Sequence, residues 1–298
     1  MPSQGKSPDR DTPRREWPSE IPVAGWIEIL RGVARGMGRD QVSIDAAAIT
    51  FLALFGIFSA VSAFVAFYGL YANPASVVAD MRALSGFVPA DVVVSMIGQM
   101  KTLASRGTST LWVAGTFSGL IALWCAEQGV GVLLLALHAA YRERPEFSWR
   151  HALRSLGLAV AVICGLVFVS VLAIGLPEIA RSIWSSLWIA ECLRAVGMAL
   201  GGLVLFFGLA ALYRWGPDRR PPRWRWVRVG AGVVVTFWTI ASSVFSVFLS
   251  YSDSYTTLYG SLSGVVLLLT LTYVTVLTVL VGGEINAQLE AKYGSSAE

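Results

Sequence analysis

Charge is scarce in this sequence. Asp, Glu, Lys and Arg make up 14% of its 298 residues, while hydrophobic residues make up 55%; a soluble domain is nearer a quarter charged. So few charges cannot cover the surface of a water-soluble chain of this length, which places it in the membrane class. Histidine and cysteine are scarcer still. His138 and His151, with Cys125, Cys164 and Cys192, are too few and too scattered for a zinc site, which needs three or four clustered ligands, or for a disulfide framework. No GxSxG nucleophile elbow occurs. The GKS at Gly5–Ser7 lacks the upstream glycine and the strand of a phosphate loop. A facing pair of intramembrane acids is not expected, because Glu127 and Glu284 fall at different depths. The expectation is therefore no metal, no cofactor and no enzymatic chemistry.

What the sequence does have is long apolar runs. Six are of bilayer length, at about 46–70, 110–137, 153–176, 194–213, 229–250 and 260–283, since roughly 20 apolar residues span the hydrocarbon core as helix. They lack the alternation of barrel strands. The fold class is thus all-α, a polytopic membrane helix bundle of six transmembrane helices. Residues 1–21, polar and broken by proline, lack the apolar core of a signal peptide and read as a disordered tail. Residues 22–293 form one membrane domain, and 294–298 a short C-terminal tail. Before the first run, Trp26, Ile29, Leu30, Val33 and Met37 recur at helical spacing against Glu28, Arg31, Arg35 and Arg39. That pattern predicts an interfacial helix. Between the first two spans, Val77, Val78, Met81 and Leu84, then Val92, Val93, Met96, Met100 and Leu103, predict two short amphipathic helices.

The basic residues fix an orientation. Seven precede the first run (Lys6, Arg10, Arg14, Arg15, Arg31, Arg35, Arg39) and four flank the link after the second (Arg142, Arg144, Arg150, Arg154). Six follow the fourth (Arg214, Arg219, Arg220, Arg223, Arg225, Arg228), and Lys292 follows the sixth. The other side holds Arg82, Lys101, Arg106, Arg181 and Arg194. Lys and Arg accumulate on the cytoplasmic side, so both termini are expected there. The net charge of +4 invites a nucleic-acid reading, but the inside bias accounts for the same residues. Patches such as RRPPRWRWVR at 219–228 suit anionic headgroups, at about 1 kcal/mol per basic residue near the surface. Membrane lipids are the expected partners, and nucleic acid is not.

Polar groups inside the runs need a reason, since a charge at mid-membrane costs about 2.5–3.5 kcal/mol on insertion scales. Asp45, in the first turn of span one, fits a helix-dipole role. Glu127 and Gln128 lie well inside span two, and are expected to face the bundle interior or a wet cavity, either as hydrogen-bonded structural groups or as the lining of a pathway. Glu284 and Asn286 close span six. An anion at a helix C-terminus is disfavoured, so either the helix continues toward Lys292 or a basic residue such as Arg35, Arg39 or Arg214 pairs with Glu284. Thr270, Thr272, Thr275 and Thr278 are expected to bond within their own helix or to pack. GxxxG spacings at Gly115/Gly119, Gly197/Gly201 and Gly260/Gly264 permit close helix contact and leave homo-oligomerisation open.

The last run, YGSLSGVVLLLTLTYVTVLTVLVGGEINAQLE (259–290), resembles the closing signature of the YihY/BrkB family of bacterial inner-membrane proteins. There a Tyr-Gly pair opens the final helix and a Gly-x-Glu-Ile motif closes it, corresponding to Tyr259, Gly260, Gly282, Glu284 and Ile285. DAAAITFLALFGIFSAVSAFVAFYG is similar to the family's first helix, LYRWGPDRRPP (212–222) to its turn after the fourth, and ALHAAYRERPEF (136–147) to the stretch after the second. Three departures stand out. Ser59 lies near a position where the family usually has proline, His138 stands where it often has Asn, and Glu127 has no clear counterpart. The resemblance implies an envelope protein, sometimes called a virulence factor and formerly mislabelled ribonuclease BN, whose molecular activity is unsettled.

Two function classes remain. A transporter or lipid-translocating protein, its small-molecule or lipid substrate unknown, would use a hydrophilic path at Glu127, Gln128 and Asn286. A non-transporting membrane scaffold would have a dry bundle and organise envelope partners through its basic face. A hydrolase lacks a nucleophile–base pair.

Overall fold

The computed structural model describes residues 20–71, 98, 108–143, 149–170, 187–217, 224–250 and 262–293. These form seven helices: α1 (Val23–Arg39), α2 (Val42–Tyr71), α3 (Thr108–Ala140), α4 (Trp149–Ser170), α5 (Leu187–Trp215), α6 (Trp224–Ser250) and α7 (Ser263–Tyr293). No strand occurs among the described residues. Among the described residues, four stretches are long and apolar enough to cross a membrane: Val42–Tyr68, Ser109–Ala140, Ala195–Trp215 and Ser263–Tyr293. The helices α4 and α6 carry shorter apolar stretches, Ser155–Gly165 and Trp226–Ala241. The two amphipathic helices expected over 77–103 lie outside the described residues, apart from Gly98, which is helical. Most of the N-terminal tail lies outside them too. Ile21, assigned to that tail by the sequence, is buried against α1.

Two left-handed residues set the helix ends that matter. Gln41, at φ 53°, turns the chain from α1 into α2 after the Asp40 N–H closes the last turn on the Gly36 carbonyl at 2.8 Å. Arg142, at φ 58°, ends α3. Its N–H donates to Ala139 O at 3.0 Å and that of Glu143 to His138 O at 2.9 Å, the paired bonds of a Schellman cap with arginine where glycine is usual.

The helices α2 and α3 run antiparallel along a seam of small residues. A β-carbon on Gly115 would lie 3.2 Å from that of Ala66, one on Gly119 3.8 Å from that of Ala63, and one on Gly56 3.2 Å from Cys125 Cβ. Removing side-chain bulk lets two backbones approach, which in lipid stands in for hydrophobic drive. The Gly115/Gly119 spacing is thus used within the chain. Gly260 lies outside the described residues, and nothing comes near Gly264. The outer faces of the same helices expose Phe51, Phe55, Phe58, Phe64, Trp112, Phe117 and Trp124, a surface suited to acyl chains.

The helix α7 lies at the centre, touching α1, α2, α3, α5 and α6. At 31 residues it is about 46 Å long, well beyond a hydrocarbon core of about 30 Å. The helix therefore does continue past Glu284 to Tyr293. In its apolar portion Thr270, Thr272, Thr275 and Thr278 each donate to the carbonyl four residues back, at 2.6–2.8 Å.

One expectation for α1 changes. The sequence put Leu30 on one membrane-facing apolar stripe with Ile29 and Val33, but Leu30 is 57% exposed while Gly25, Ile29, Val33 and Gly36 are buried. The reason is the partner. The helix packs on the protein, against Ile285, Leu289 and Trp226, and its glycines let α7 come close. That leaves Leu30, with Val23 and Ile27, on the opposite side.

Candidate functional site at the end of α7

Residues Gly282 to Asn286 are all buried, and four of the five meet a particular neighbour on another helix. A β-carbon on Gly282 would lie 2.6 Å from both Tyr213 Oη on α5 and Val234 Cγ2 on α6. One on Gly283 would lie 2.5 Å from Leu137 Cδ2 on α3. Glycine lets the neighbouring helices close in at both positions, although at Gly283 the atom in the way is the mobile end of a leucine side chain. Tyr213, fully buried, donates its hydroxyl to Val279 O at 2.6 Å. The Asn286 Oδ1 accepts from the Gly230 N–H at 2.8 Å, and its Nδ2 donates to Val227 O at 3.1 Å. Asn286 is thus spent on the backbone of α6 and does not line a cavity.

Glu284 turns toward α1. It is 1% exposed, and a β-carbon on Gly36 would lie 2.6 Å from its Oε2. Among the described residues no hydrogen-bond donor reaches either carboxyl oxygen. The Gln288 side chain approaches without hydrogen-bond geometry, and a second acid, Asp40, faces Glu284, with the Arg39 charge beyond. Of the three arginines expected as possible partners, Arg39 is engaged elsewhere: it donates Nε to Asp40 Oδ1 at 2.7 Å and an Nη to Oδ2 at 2.6 Å. Adjacent residues at a helix end make that fork easily, and it leaves Glu284 behind Asp40. Chiefly through the Arg39 hydrogen bonds, with help from the Arg142 charge, the Asp40 carboxyl is held below its usual range.

Beside this pair, a cleft of about 250 Å³ opens between the ends of α3 and α7, lined by Ala140, Tyr141, Arg142, Glu143, Ala287, Gln288, Glu290 and Ala291. Further along α7, Lys292 pairs with Glu28, holding the Glu28 carboxyl below its ordinary value by hydrogen bond and charge. Tyr293 stacks on Trp226 at 6.1 Å.

Glu127 and Gln128 form a separate group higher on α3. Gln128 Nε2 donates to Glu127 Oε2 at 2.7 Å, and Ser155 Oγ on α4 donates to Glu127 Oε1 at 2.9 Å. Ser155 is buried and Glu127 half-buried, while Gln128 is exposed on the outer face. The sequence expected both to face inward. Adjacent residues on a helix diverge by about 100°, so when Glu127 turns toward α4, Gln128 turns out. Neither lines the cleft beside Asp40. The helix α2 runs unbroken through Ser59. His138 is buried, with Nδ1 2.6 Å from Leu134 O. Tyr259 and Gly260 lie outside the described residues. Sequence reasoning did not single out Asp40, Gly36 or Ser155, and quoted Tyr213 only within the family-like turn at 212–222. The glycines of α1 were the available signal, since Gly25, Gly32 and Gly36 share one face. No group of three or more His, Cys, Asp or Glu side chains could hold a metal among the described residues.

The buried Gly-Gly-Glu-Ile-Asn segment carries the features by which the final helix was compared with a family, and residues 33–298 match the sequence model of the family described as Virulence factor BrkB. The chain belongs to the BrkB family. Among curated relatives, a BrkB chain of this kind is 29% identical over 206 residues to the ribonuclease-like protein YfkH of Bacillus subtilis (strain 168), covering 64% of this chain and 70% of YfkH. It is 24% identical over 283 residues to a UPF0761 membrane protein of Delftia acidovorans (strain DSM 14801 / SPH-1), covering 92% of this chain but 64% of that relative. No solved structure matches. With the long apolar helices, membership makes this BrkB chain a membrane protein with several transmembrane helices.

Proposed function

We propose that this BrkB protein is a lipid-translocating protein of the bacterial inner membrane, with six spans and both termini in the cytoplasm. The observation that carries the reading is the outward polar group on α3. On an apolar face that exposes Leu120 and Trp124, the Gln128 amide holds the Glu127 carboxylate, which also accepts from Ser155. A lipid headgroup crossing the bilayer needs polar partners at depth while its tails stay in hydrocarbon. A half-exposed acid and amide offer such partners along the α3–α4 surface, and an intramembrane acid is a functional candidate by default. The cytoplasmic placement rests on the basic residues around α1 and the α3–α4 and α5–α6 links. No chemical step is part of the reading.

Reconstitution in vesicles carrying a headgroup-labelled phospholipid tests it, with a membrane-impermeant quencher reporting label on the outer leaflet. Wild type is expected to expose inner-leaflet label faster than protein-free vesicles. Glu127→Gln with Gln128→Leu is expected to slow this roughly tenfold, equivalent to about 1.4 kcal/mol on the barrier. Equal rates in wild-type and empty vesicles would end the proposal. One observation favours a scaffold instead: the Gly282–Asn286 segment is close-packed against four helices. Retention of cellular function after Glu127→Gln would favour that second reading.

A further inference from the structure

The last turn of α1 and the signature end of α7 meet through two acids. Glu284 lies just past the apolar run at 260–283, is 1% exposed, and has no donor on either carboxyl oxygen among the described residues. What faces it is the Asp40 carboxyl. A buried carboxylate without a donor or a cation is costly, and two carboxyls in contact do not both ionise readily. One proton between them removes both costs. A protonated carboxyl is a donor, and its bond to a carboxylate is of the short, charge-assisted kind.

The surroundings decide which acid keeps the proton. Asp40 accepts both hydrogen bonds of the Arg39 fork, at 2.7 and 2.6 Å. The Arg142 charge reaches it from α3, where Arg142 ends the helix at φ 58°. Glu284 has no such support. Arg39 acts on it by charge alone, and the Gln288 that approaches it is neutral. The helix α5 brings the neutral Tyr213 to Val279 O, and α6 brings Trp226 and the Val227 carbonyl. From α2 comes Val42, packed with Leu280. Tyr141, Glu143 and Glu290 line the neighbouring cleft with Gln288. Both cations thus favour Asp40 as the carboxylate, which leaves Glu284 as the donor. Gly36 makes the approach possible, since a β-carbon there would lie 2.6 Å from Glu284 Oε2.

We infer that Glu284 and Asp40 share one proton, and that this proton latches the end of α1 to α7 so that its loss releases that end. The direction follows from proton counting. The folded chain holds a proton that the unfolded chain gives up more readily, so the contact weakens as pH rises. When the proton passes to water, two buried negative charges face each other beside Gly36. The other contacts of α1 locate the movement. Lys292 pairs with Glu28 near the start of the helix, and Ile29 and Val33 share an apolar cluster with Ile285 and Leu289 along its middle. The last turn has neither, and it adjoins the left-handed turn at Gln41, φ 53°. Residues 36–39 therefore move first. The latch is independent of whether the protein moves lipid.

The test uses the full chain in nanodiscs. Infrared difference spectroscopy detects a protonated carboxyl by its C=O stretch. Wild type minus Glu284→Gln at neutral pH is expected to show one such band, and making the wild-type sample alkaline is expected to remove it. Hydrogen exchange over residues 36–39, corrected for the intrinsic pH dependence of amide exchange, is expected to speed at least tenfold over the same rise. In E284Q the amide donates to Asp40 as the proton does, so protection there is expected to stay constant. Should E284Q fail to fold, Asp40→Asn carries both comparisons. Its amide can donate to an ionised Glu284, so the band is expected to be missing at neutral pH and the exchange to ignore the rise. A wild type without the band overturns the proposal. So does wild-type protection that holds while the band disappears, or a D40N or E284Q chain that loosens with the wild-type pH profile.

Discussion

The side chain of Asn286 makes two hydrogen bonds to a neighbouring helix's main chain, accepting from the Gly230 N–H at 2.8 Å and donating to the Val227 carbonyl at 3.1 Å. Both residues are buried. The amide thus ties α7 to the main chain near the start of α6, and no other polar residue of its size supplies one donor and one acceptor in that fork. Asn286→Ala is expected to remove both interhelical hydrogen bonds and to lower stability by about 1–3 kcal/mol. Asn286→Asp is expected to be at least as damaging, because it removes the donor facing Val227 and buries a charge. Melting of the purified chain in detergent, monitored by circular dichroism, checks both. Full stability of N286D would show that the fork is not formed.

Glycine substitutions should sort by what the new methyl meets. At Gly230 a β-carbon would stand 2.3 Å from the Gly282 carbonyl oxygen, main chain that cannot swing aside, so Gly230→Ala is expected to force α6 away from α7. At Gly282 the obstacles are Tyr213 Oη and Val234 Cγ2, each at 2.6 Å. Gly282→Ala is expected to cost about 1–3 kcal/mol, the usual range for overpacking. At Gly208 and Gly264 nothing lies within 4 Å. Alanine there is expected to be neutral or to stabilise by up to about 1 kcal/mol through helix propensity. Melting temperatures of the four variants give the order directly, and G230A as stable as G208A would contradict the α6–α7 contact.

These residues also show what a sequence makes legible. Uninterrupted apolar stretches announce helices, because a backbone in hydrocarbon must bond to itself. The bodies of α2, α3, α5 and α7 follow from that rule alone. Partnership is another matter. Asn286 looked like a pathway residue because an amide near a span's end is unusual, yet its bonds go to a backbone 56 and 59 positions away, which no local pattern encodes. Glu284 invited an arginine, and three basic candidates were near in depth. The choice went to geometry, with Arg39 closing on its own neighbour Asp40. For α1, the five apolar residues at helical spacing suggested a lipid-facing stripe, while glycines, invisible to hydropathy, decided which side meets protein. Gln128 was misjudged for a related reason. Depth is readable from position along a run, but the facing of one residue depends on which neighbour its helix selects.

The attachment of α1 should weaken in acid. Glu28 and Asp40 both titrate below their ordinary values of 4.5 and 3.8, held down chiefly by hydrogen bonds from Lys292 and Arg39. A group with a depressed folded value stabilises the fold above its unfolded value and loses that contribution as pH falls through the folded one. The contribution is therefore expected intact at neutral pH and fading below about pH 4. Lys292→Ala is expected to remove the Glu28 part at neutral pH, and Arg39→Ala the Asp40 part. Hydrogen exchange over Val23–Arg39, corrected for the intrinsic pH dependence of amide exchange, reads the loosening. Protection of α1 that stays constant down to pH 3 would count against both contacts.

The register of α2 against α3 can be tested with a covalent bond. In an antiparallel pair, sliding one helix by a residue rotates its contact face by about 100°, so a correct pairing is sharply distinguished from its neighbours. Ala63 Cβ lies 3.8 Å from the β-carbon position on Gly119, close to the mean Cβ–Cβ separation of about 3.8 Å in disulfides. In a background with Cys125, Cys164 and Cys192 replaced by serine, Ala63→Cys with Gly119→Cys is expected to cross-link on mild oxidation. Ala63→Cys with Gly115→Cys is expected to cross-link far less, because Gly115 faces Ala66 and Phe67, one turn along. Proteolysis between the two helices followed by non-reducing electrophoresis separates linked from unlinked fragments. Preferential linkage of the 63–115 pair would mean that the small-residue seam is built one turn out of register, and the contacts placing Gly56 against Cys125 and Gly129 against Leu52 would shift with it.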